Sequence, residues 1–383
     1  MRNALIFILF AMSFSASALN ARGDNGAIRF YIGTAANADK GGVFLSSLSL
    51  ESGEISEPML AAATDRSTFI WLHPTLPVLY SVAELNAGEG GGAAIVAWEI
   101  EPVSGKLTQI SRQPAGGQGA CFVTARADGR YAAIANYGSG SISLYPLQKD
   151  GRVNAATANI QHVGTGPVSN RQMGPHAHSA RFNSSGKHLL AADLGTDDIF
   201  IYDIADDGSL RPSSPPSLEM PAGSGPRHFV FSPDNRYVLG LGEMSGTITT
   251  FAFDPIDAKP LSTVSTMAAG TPGDAPRSSA EILFHPTLPV VYCSNRGPHE
   301  IAVFDFAAAT GVVKRRSAIQ CGGQVPRNFR LSPEGRFLLV ANQGSNNVAV
   351  FSVDLKTGDL SRTKYQIDVP SPMCIKFVGD QSP

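Results

Sequence analysis

His178 begins the stretch HSARFNSSGKHLLAADLGTDDIFIYDI, which is the first of three consecutive copies of one unit. The second copy, RHFVFSPDNRYVLGLGEMSGTITTFAF, begins at Arg227, and the third, AEILFHPTLPVVYCSNRGPHEIAVFDF, begins at Ala280. Each copy contains an apolar strand, a tight polar turn, a second apolar strand, a short gap and a third strand. The copies therefore predict a repeated antiparallel β-meander.

The turn of this unit recurs every 47 to 57 residues, at Pro74, Ala127, Ser184, Pro233, Pro286 and Pro333. This interval is typical of four-stranded propeller blades. The last stretch, SPMCIKFVG from Ser371, matches only the first strand of a unit, and the segment from Ile28 lacks that strand. Joining the two closes a ring without an exposed inner edge. We therefore predict an all-β, seven-bladed β-propeller of four-stranded antiparallel blades, with the last blade closed by N- and C-terminal strands, over residues 19–383.

Composition supports one large β domain and argues against charged macromolecular partners. The chain has 383 residues, 43% of them hydrophobic, and its 39 glycines and 26 prolines indicate many turns. Its 30 basic and 32 acidic residues nearly balance, so the sequence lacks the basic signature of nucleic-acid or anionic-membrane binding. We expect a small-molecule ligand, no nucleic acid and a monomer.

Residues 1–18 have the pattern of a secretory signal peptide. One basic residue, Arg2, precedes an apolar run from Ala4 to Phe14, and an Ala-Ser-Ala sequence ends at Ala18. The run is too short to span a bilayer comfortably. We predict a periplasmic or secreted protein with no membrane contact after cleavage; the alternatives are a retained anchor, or a cytoplasmic protein whose start codon is wrongly assigned.

Neither the cysteines nor the histidines form a metal-binding pattern. The cysteines lie in separate repeats, so the sequence has no CxxC redox site or zinc knuckle; they are Cys121, Cys293, Cys321 and Cys374. Their disulfide pairing stays open, and Cys293 is expected in the core. His176 and His178 are spaced to share one face of a strand, but no third ligand accompanies them. We therefore predict no metal and no cofactor.

The repeats place four ionisable residues at matching positions. One position precedes the first strand of a unit, and the other follows the second strand, sixteen residues later. With the turn midway, strands of equal length return both positions to one level opposite the turn. His178, Arg227, Glu243 and Arg296 should therefore share one rim, where several blades converge on a concave channel mouth.

These four residues are the candidate catalytic residues. Glu243 can act as a general base or acid, and His178 can transfer a proton near neutral pH. Arg227 and Arg296 can bind a carboxylate, a phosphate or a developing oxyanion. The alternative for Arg227 and Glu243 alone is an ion pair that fixes their hairpin, which would leave the charges on the flanking blades unexplained.

Further polar residues lie near this rim. The candidate substrate-binding residues are His176, Arg327 and Gln343. Arg171 and Arg277, like Arg327, could reach an anionic group, although solvent exposure is the default for an arginine. Two long connections, residues 155–171 and 266–277, precede charged strands and are candidate walls or lids of a ligand site.

Four stretches resemble the lactonase family of seven-bladed propellers: GPHAHS from Gly174, GPRHFVFSPDNRYVLGLGE from Gly225, HPTLPVVYCSNRG from His285 and PRNFRLSPEGRFLLVANQ from Pro326. This family groups bacterial propeller-type 6-phosphogluconolactonases with fungal carboxy-cis,cis-muconate cyclases. The resemblance covers essentially the whole mature chain. The residues that match the His, two Arg and Glu of the cyclase branch are His178, Arg227, Arg296 and Glu243.

The resemblance implies a metal-free hydrolase that opens a sugar lactone, D-glucono-1,5-lactone 6-phosphate or a related aldonolactone. The family's phosphogluconolactonases act in the cytoplasm, so the predicted export leaves the phosphate open. One alternative is a lactonising enzyme like the muconate cyclases. The other is a non-catalytic periplasmic binding propeller, because VANQGSNNVAVF, from Val340, resembles repeats of that class.

Overall fold

The computed structural model describes residues 26–85 and 92–379. Within these ranges the backbone forms 28 strands in seven four-stranded antiparallel sheets, without a helix. The predicted all-β, seven-bladed propeller is therefore confirmed. These ranges accordingly hold no apolar helix of membrane-spanning length, and the signal peptide predicted over residues 1–18 lies outside them.

Each sheet is one blade of the propeller. The strands are β1 (Ala27–Thr34), β2 (Gly42–Ser49), β3 (Met59–Ala63), β4 (Ile70–Leu72), β5 (Val78–Leu85), β6 (Gly92–Ile100), β7 (Leu107–Pro114), β8 (Ala120–Ala125), β9 (Tyr131–Asn136), β10 (Ser141–Pro146), β11 (Ala158–Gln161), β12 (Ala177–Phe182), β13 (His188–Asp193), β14 (Asp198–Ile204), β15 (Leu210–Glu219), β16 (Pro226–Phe231), β17 (Tyr237–Gly242), β18 (Thr247–Phe253), β19 (Ile256–Ser265), β20 (Ser279–Phe284), β21 (Val290–Asn295), β22 (Glu300–Ala307), β23 (Val312–Gln320), β24 (Pro326–Leu331), β25 (Phe337–Asn342), β26 (Asn347–Val353), β27 (Leu360–Asp368) and β28 (Pro372–Phe377). Blades 1 to 6 take four successive strands each, from β4 to β27, and blade 7 combines β28 with β1, β2 and β3.

Polar turns close the hairpin between the first two strands of each repeat. In blade 4, Ser232 Oγ accepts the amide N–H of Tyr237 at 3.0 Å, and Asn235 has a φ of 57°, a conformation that asparagine tolerates. In blade 5, His285 Nδ1 instead accepts two following amides at 3.1 and 3.0 Å. Different side chains thus stabilise the same tight turn, and the open ends of the hairpins all face the other way.

The innermost strands close a ring around a central channel. They follow the order β28, β4, β8, β12, β16, β20 and β24, and each lies beside the next. Pairing of β28 with β1 closes blade 7 with strands from both ends of the described chain. β12, β16 and β28 are buried at every position, because one face packs between blades and the other faces the channel. Polar residues on these strands are therefore held in a low-dielectric environment.

Candidate active site

A cavity of about 360 Å³ opens at the rim opposite the inner hairpin turns. All seven blades or their connections contribute to its wall, which consists of Arg66, Thr68, Glu84, Gly119, Ala120, Cys121, Tyr137, Arg171, His178, Glu243, Arg296, Arg327 and Met373. A smaller space of about 20 Å³ shares His178 and Arg327 with this cavity and is also lined by Arg227. Arg227 therefore forms part of the cavity floor.

Register shifts at the starts of four inner strands place side chains at this rim. The residues at these shifts are Cys121, His178, Arg227 and Arg327. A β-bulge leaves one residue out of the regular ladder and re-aims its side chain. Four blades have a bulge at the equivalent position, and the four bulged residues line the cavity or its floor. In a regular strand, alternation would direct some of these side chains between the blades.

Glu243 follows β17 and is surrounded by three arginines. Arg171 Nη2 donates to its Oε1 at 2.9 Å, Arg296 Nη2 lies 2.8 Å from its Oε2, and Arg227 Nε lies 3.2 Å from Oε2. Arg227 Nε is within ion-pair distance but makes no hydrogen bond in the described part of the chain. The predicted pair of Arg227 and Glu243 is thus part of a larger cluster of one carboxylate and three guanidinium groups.

The arginine cluster keeps the Glu243 carboxylate ionised. Burial by itself would raise the pKa of Glu243, but the charges of Arg296 and Arg227 and the hydrogen bond from Arg171 outweigh burial and lower the pKa to about 2. Burial, together with the charges of Arg327 and Arg296, lowers the pKa of Arg227 to about 9. All these groups are therefore charged at neutral pH.

His178 is buried beside this cluster and is neutral at pH 7. Burial lowers the pKa of His178 well below its usual value, and the charge of Arg227 lowers it further. Its Nδ1 lies 3.9 Å from Cys121 Sγ, and its ring meets Tyr137 edge to face at 5.4 Å. No carboxylate in the described residues forms an ion pair with it, so the imidazole is free to accept a proton. Burial also raises the pKa of the Cys121 thiol to about 12, which makes that thiol a poor nucleophile.

Arg327 contributes an unpaired guanidinium group. In the described part of the chain it has no hydrogen-bond or ion-pair partner, and burial, then the charge of Arg296, lowers its pKa to about 10. Glu84, at the cavity edge, is paired with Arg66 at 2.6 Å. The cavity and its floor hold five guanidinium groups and two carboxylates, and this excess of positive charge suits an anionic ligand.

The structure separates the other predicted site residues. Neither His176 nor Gln343 lines the cavity. His176 stacks on the Tyr137 ring at 4.6 Å, and its Nδ1 lies 2.9 Å from the Tyr137 carbonyl oxygen. His176 therefore supports a wall residue from behind. The backbone N–H of Gln343 donates to the Val325 carbonyl at 3.0 Å, which places Gln343 next to Arg327 in blade 6 but outside the wall.

Arg171, which the sequence suggested as a possible contact for an anion but which was not placed among the site residues, lines the cavity. It ends the connection predicted as a wall, and it bonds both Glu243 and, at 3.3 Å, the Tyr137 hydroxyl. The neighbouring Gln172 is fully buried and anchors this connection through Nε2, which donates to the Leu194 carbonyl at 2.8 Å. Arg277, by contrast, is exposed and does not line the cavity. The length of the connection was the usable signal for Arg171.

The histidine pair does not converge on one point. The register shift between Ala177 and Ser179 breaks the alternation that would put both rings on one face. The described residues contain no group of three side chains arranged to hold a metal ion. All four cysteines are free thiols, and Cys293 is buried, as expected.

Comparisons with known proteins place the whole propeller in one group. The family described as "Lactonase, 7-bladed beta-propeller" matches residues 29–377. The 6-phosphogluconolactonase of Bacillus subtilis (strain 168) is 31% identical over 352 residues, which cover 91% of this chain and 97% of that protein. The 6-phosphogluconolactonase of Formosa agariphila is 31% identical over 332 residues, covering 86% of this chain and 93% of that protein. The solved structure of the periplasmic gluconolactonase of Pseudomonas aeruginosa is 28% identical, with a TM-score of 0.85 over 92% of this chain and 99% of that chain.

Proposed function

The chain belongs to the lactonase family of seven-bladed β-propellers, and from this membership we propose that it hydrolyses D-glucono-1,5-lactone 6-phosphate or a related aldonolactone to the acid. One observation carries the proposal: an unpaired guanidinium, Arg327, and a neutral buried imidazole, His178, share the floor of a cavity with excess positive charge. Hydrolysis of an anionic ester needs these two kinds of group, a proton acceptor and an oxyanion donor.

The floor suits the lactone carbonyl. When water attacks this carbonyl, its oxygen becomes an oxyanion, which the unpaired N–H groups of Arg327 can bind and the charge of Arg227 can stabilise. Arg227 is buried and Arg327 is partly buried, and a buried charge stabilises an oxyanion more strongly than one in water. The donors are held in place before the reaction, so little reorganisation is needed.

His178 is preferred as the base over Glu243 because of its surroundings. Both oxygens of Glu243 are held by arginines, whereas His178 has no carboxylate partner in the described residues and lines the cavity floor. We assign His178 to accept the proton of the attacking water. Collapse of the tetrahedral intermediate breaks the bond between the carbonyl carbon and the ring oxygen, which takes the proton from His178, and the new carboxylic acid releases its proton to solvent. Glu243 holds Arg171, Arg227 and Arg296 in position.

The outer arginines suit the anionic end of the substrate. The side chains of Arg171 and Arg66 are 40% and 45% exposed, so they lie at the wetter mouth, where a phosphate can keep part of its hydration. A lactone with its carbonyl at the floor would direct its far end toward them. This arrangement supports a phosphorylated substrate, whereas an unphosphorylated aldonolactone would use the floor alone.

Export remains part of the proposal. Residues 1–18 are the proposed signal peptide, and the protein would act as a periplasmic or secreted monomer, because one chain supplies the entire cavity wall. Sequencing the N-terminus of the protein recovered from the periplasmic fraction tests the signal peptide. A start at Leu19 or within a few residues of it is expected, and an intact Met1 in the cytoplasmic fraction would contradict export.

A lactone panel with a matched arginine pair tests the function. Wild type should hydrolyse glucono-δ-lactone, its 6-phosphate, or both, and Arg327→Gln should lower kcat/KM by about 10² to 10³-fold, because it removes one oxyanion donor. Arg277→Gln, which removes an exposed guanidinium outside the cavity, should leave kcat/KM within about twofold.

Two other outcomes would replace the proposal. If wild type hydrolysed none of these lactones above the spontaneous rate, the non-catalytic binding propeller would be favoured. If it acted only on a carboxylated muconolactone, the cyclase-like function would be favoured. An Arg327→Gln variant as active as wild type would remove the assigned oxyanion donor even if lactones were hydrolysed.

A further inference from the structure

A second cavity, of about 310 Å³, opens at the opposite end of the channel, among the inner hairpin turns of blades 3 to 6. Most of its wall is apolar, and the wall includes Val230, Phe231, Leu283, Phe284 and two arginines, Arg181 and Arg330. Arg181 follows His178 by three residues on β12, which corresponds to roughly 10 Å along a strand. The two cavities are therefore separate sites at the two mouths of one channel.

Arg181 has unsatisfied donors. It is 3% exposed, and its Nε and Nη1 have no hydrogen-bond partner in the described ranges. The rings of Phe122 and Trp71 lie 5.2 and 5.8 Å from its guanidinium carbon. These rings stabilise the cation through its faces but cannot accept its in-plane N–H groups. Because buried donors in folded proteins nearly always have an acceptor, Arg181 indicates a missing one.

The nearest carboxylate does not satisfy Arg181. Glu281 Oε1 lies 4.0 Å from Arg181 Nη2, beyond hydrogen-bond distance. The same oxygen lies 2.8 Å from His228 Nδ1, and Oε2 accepts a hydrogen bond from Asn328 Nδ2. Burial, which outweighs the opposing charge of Glu281, lowers the pKa of Arg181 to about 10, with a further contribution from the charge of Arg330. Arg181 is nevertheless a cation at neutral pH.

We propose that this second mouth binds an organic carboxylate with an apolar body, such as a medium-chain fatty acid. The carboxylate would lie against the Arg181 guanidinium group, which lines the cavity, and the chain would pack against Val230, Phe231, Leu283 and Phe284. An arginine fork matches a carboxylate well, and the cavity volume lies at the lower end of the range for small-molecule sites. This ligand differs from a sugar lactone, which needs polar partners along its whole length.

Isothermal titration calorimetry with octanoate tests the proposal. Wild type should bind one octanoate per chain saturably, and 1-octanol, which has the same chain without the charge, should bind at least about tenfold more weakly. Arg181→Met, which keeps the length of the side chain, should weaken octanoate binding by at least about tenfold. Ser184→Trp, an exposed turn position in the cavity wall, should obstruct the mouth and weaken binding with Arg181 intact, so the test survives a poorly folded Arg181→Met.

The active site provides the matched control, because its arginines could also attract octanoate. Arg327→Gln, which removes a cation from the active-site cavity, should leave octanoate affinity within about twofold, and excess gluconate should not displace octanoate. The proposal is overturned if wild type shows no saturable binding, if octanol binds as tightly as octanoate, or if octanoate binding responds to Arg327→Gln but not to Arg181→Met and Ser184→Trp.

Discussion

Two buried carboxylates on neighbouring blades, Glu243 and Glu281, have similar electrostatics but different surroundings. Both are less than 10% exposed, and both have a pKa of about 2 because cationic or hydrogen-bonding neighbours outweigh burial. Glu281 is held by His228 and Asn328, and Asn328 Oδ1 accepts the backbone N–H of Ile375 at 2.9 Å. The Glu281 cluster therefore links the inner strands of blades 4 to 7 and leaves its histidine occupied.

The Glu243 cluster is organised around cations and an opening. Three guanidinium groups surround the carboxylate, the nearby His178 has no carboxylate partner, and a cavity of about 360 Å³ lies above them. Burial and a lowered pKa are shared by both clusters and therefore do not by themselves identify the proposed active site. The features that distinguish the Glu243 cluster are its imidazole without a carboxylate partner and the three guanidinium groups around its carboxylate, next to a cavity with an excess of positive charge.

The two histidines give the largest expected difference between these clusters. His178→Gln should lower kcat/KM by about 10² to 10⁴-fold, because it removes the proposed base. His228→Gln removes an imidazole of similar burial that is occupied by Glu281 and contacts Arg227 Nη1 at 3.2 Å. Because His228 supports Arg227 and is not assigned a proton transfer, kcat/KM per folded molecule should fall by less than about tenfold. Steady-state kinetics on the preferred lactone, with circular dichroism to count folded protein, checks both variants. Equal losses of activity would erase the distinction between the clusters.

Stability should depend more on Glu281 than on Glu243, the reverse of the order expected for activity. Glu281→Gln removes the charge nearest to the buried Arg181 cation and disturbs the hydrogen bonds to His228 and Asn328, so it should lower the free energy of unfolding by about 3 to 5 kcal/mol. Glu243→Gln also leaves cations unbalanced, but Arg171 and the cavity can be solvated, so the loss should be smaller, about 1 to 3 kcal/mol.

Urea denaturation of both glutamine variants measures this difference. Added inorganic phosphate sharpens it, because an anion in the cavity should restore stability to Glu243→Gln and not to Glu281→Gln. A larger loss for Glu243→Gln, or equal rescue of both variants by phosphate, would contradict the assignment of Glu281 as the structural carboxylate.

The fold was predictable from the sequence because its information is local. Each repeat carries its own turn residues, such as Ser232 and Asn235, and a fixed spacing from strand start to strand end. The same spacing brought His178, Arg227, Glu243 and Arg296 to one level, so their proximity at the rim followed from the repeat alone. The incomplete units at the two ends predicted the shared blade for the same reason.

The remaining parts of the site depend on contacts between distant parts of the chain. Whether Arg171 reaches Glu243, 72 positions away, is set by how a long connection folds over the rim. The bulges at the inner strands leave no residue signature, so the spacing of His176 and His178 suggested a shared face that the bulge removes. The clusters around Glu281 and Arg181 were not predicted because only the rim positions of the repeats were compared. Glu281 and Arg181 lie one and three residues further along their inner strands, away from the rim.

The smallest expected effect concerns pH and follows from the burial of His178. An imidazole of ordinary pKa, near 6.5, would lose about tenfold in its neutral fraction between pH 7.5 and 5.5. Because burial holds the pKa of His178 well below that value, its neutral form persists as pH falls, and kcat/KM for neutral glucono-δ-lactone should fall by less than about twofold over this range. The measurement is a pH profile corrected for spontaneous hydrolysis.

Stability must be separated from activity in that profile. The pKa values of His178 and His228 are lower in the folded protein than in the unfolded chain, so the unfolded chain binds more protons as pH falls below about 6.5 and the folded state loses stability. Tryptophan fluorescence at each pH gives the folded fraction. If kcat/KM per folded molecule fell tenfold with a midpoint between pH 6 and 7, the base would be an imidazole of ordinary pKa, and His178, buried beside Arg227, would not be the proton acceptor.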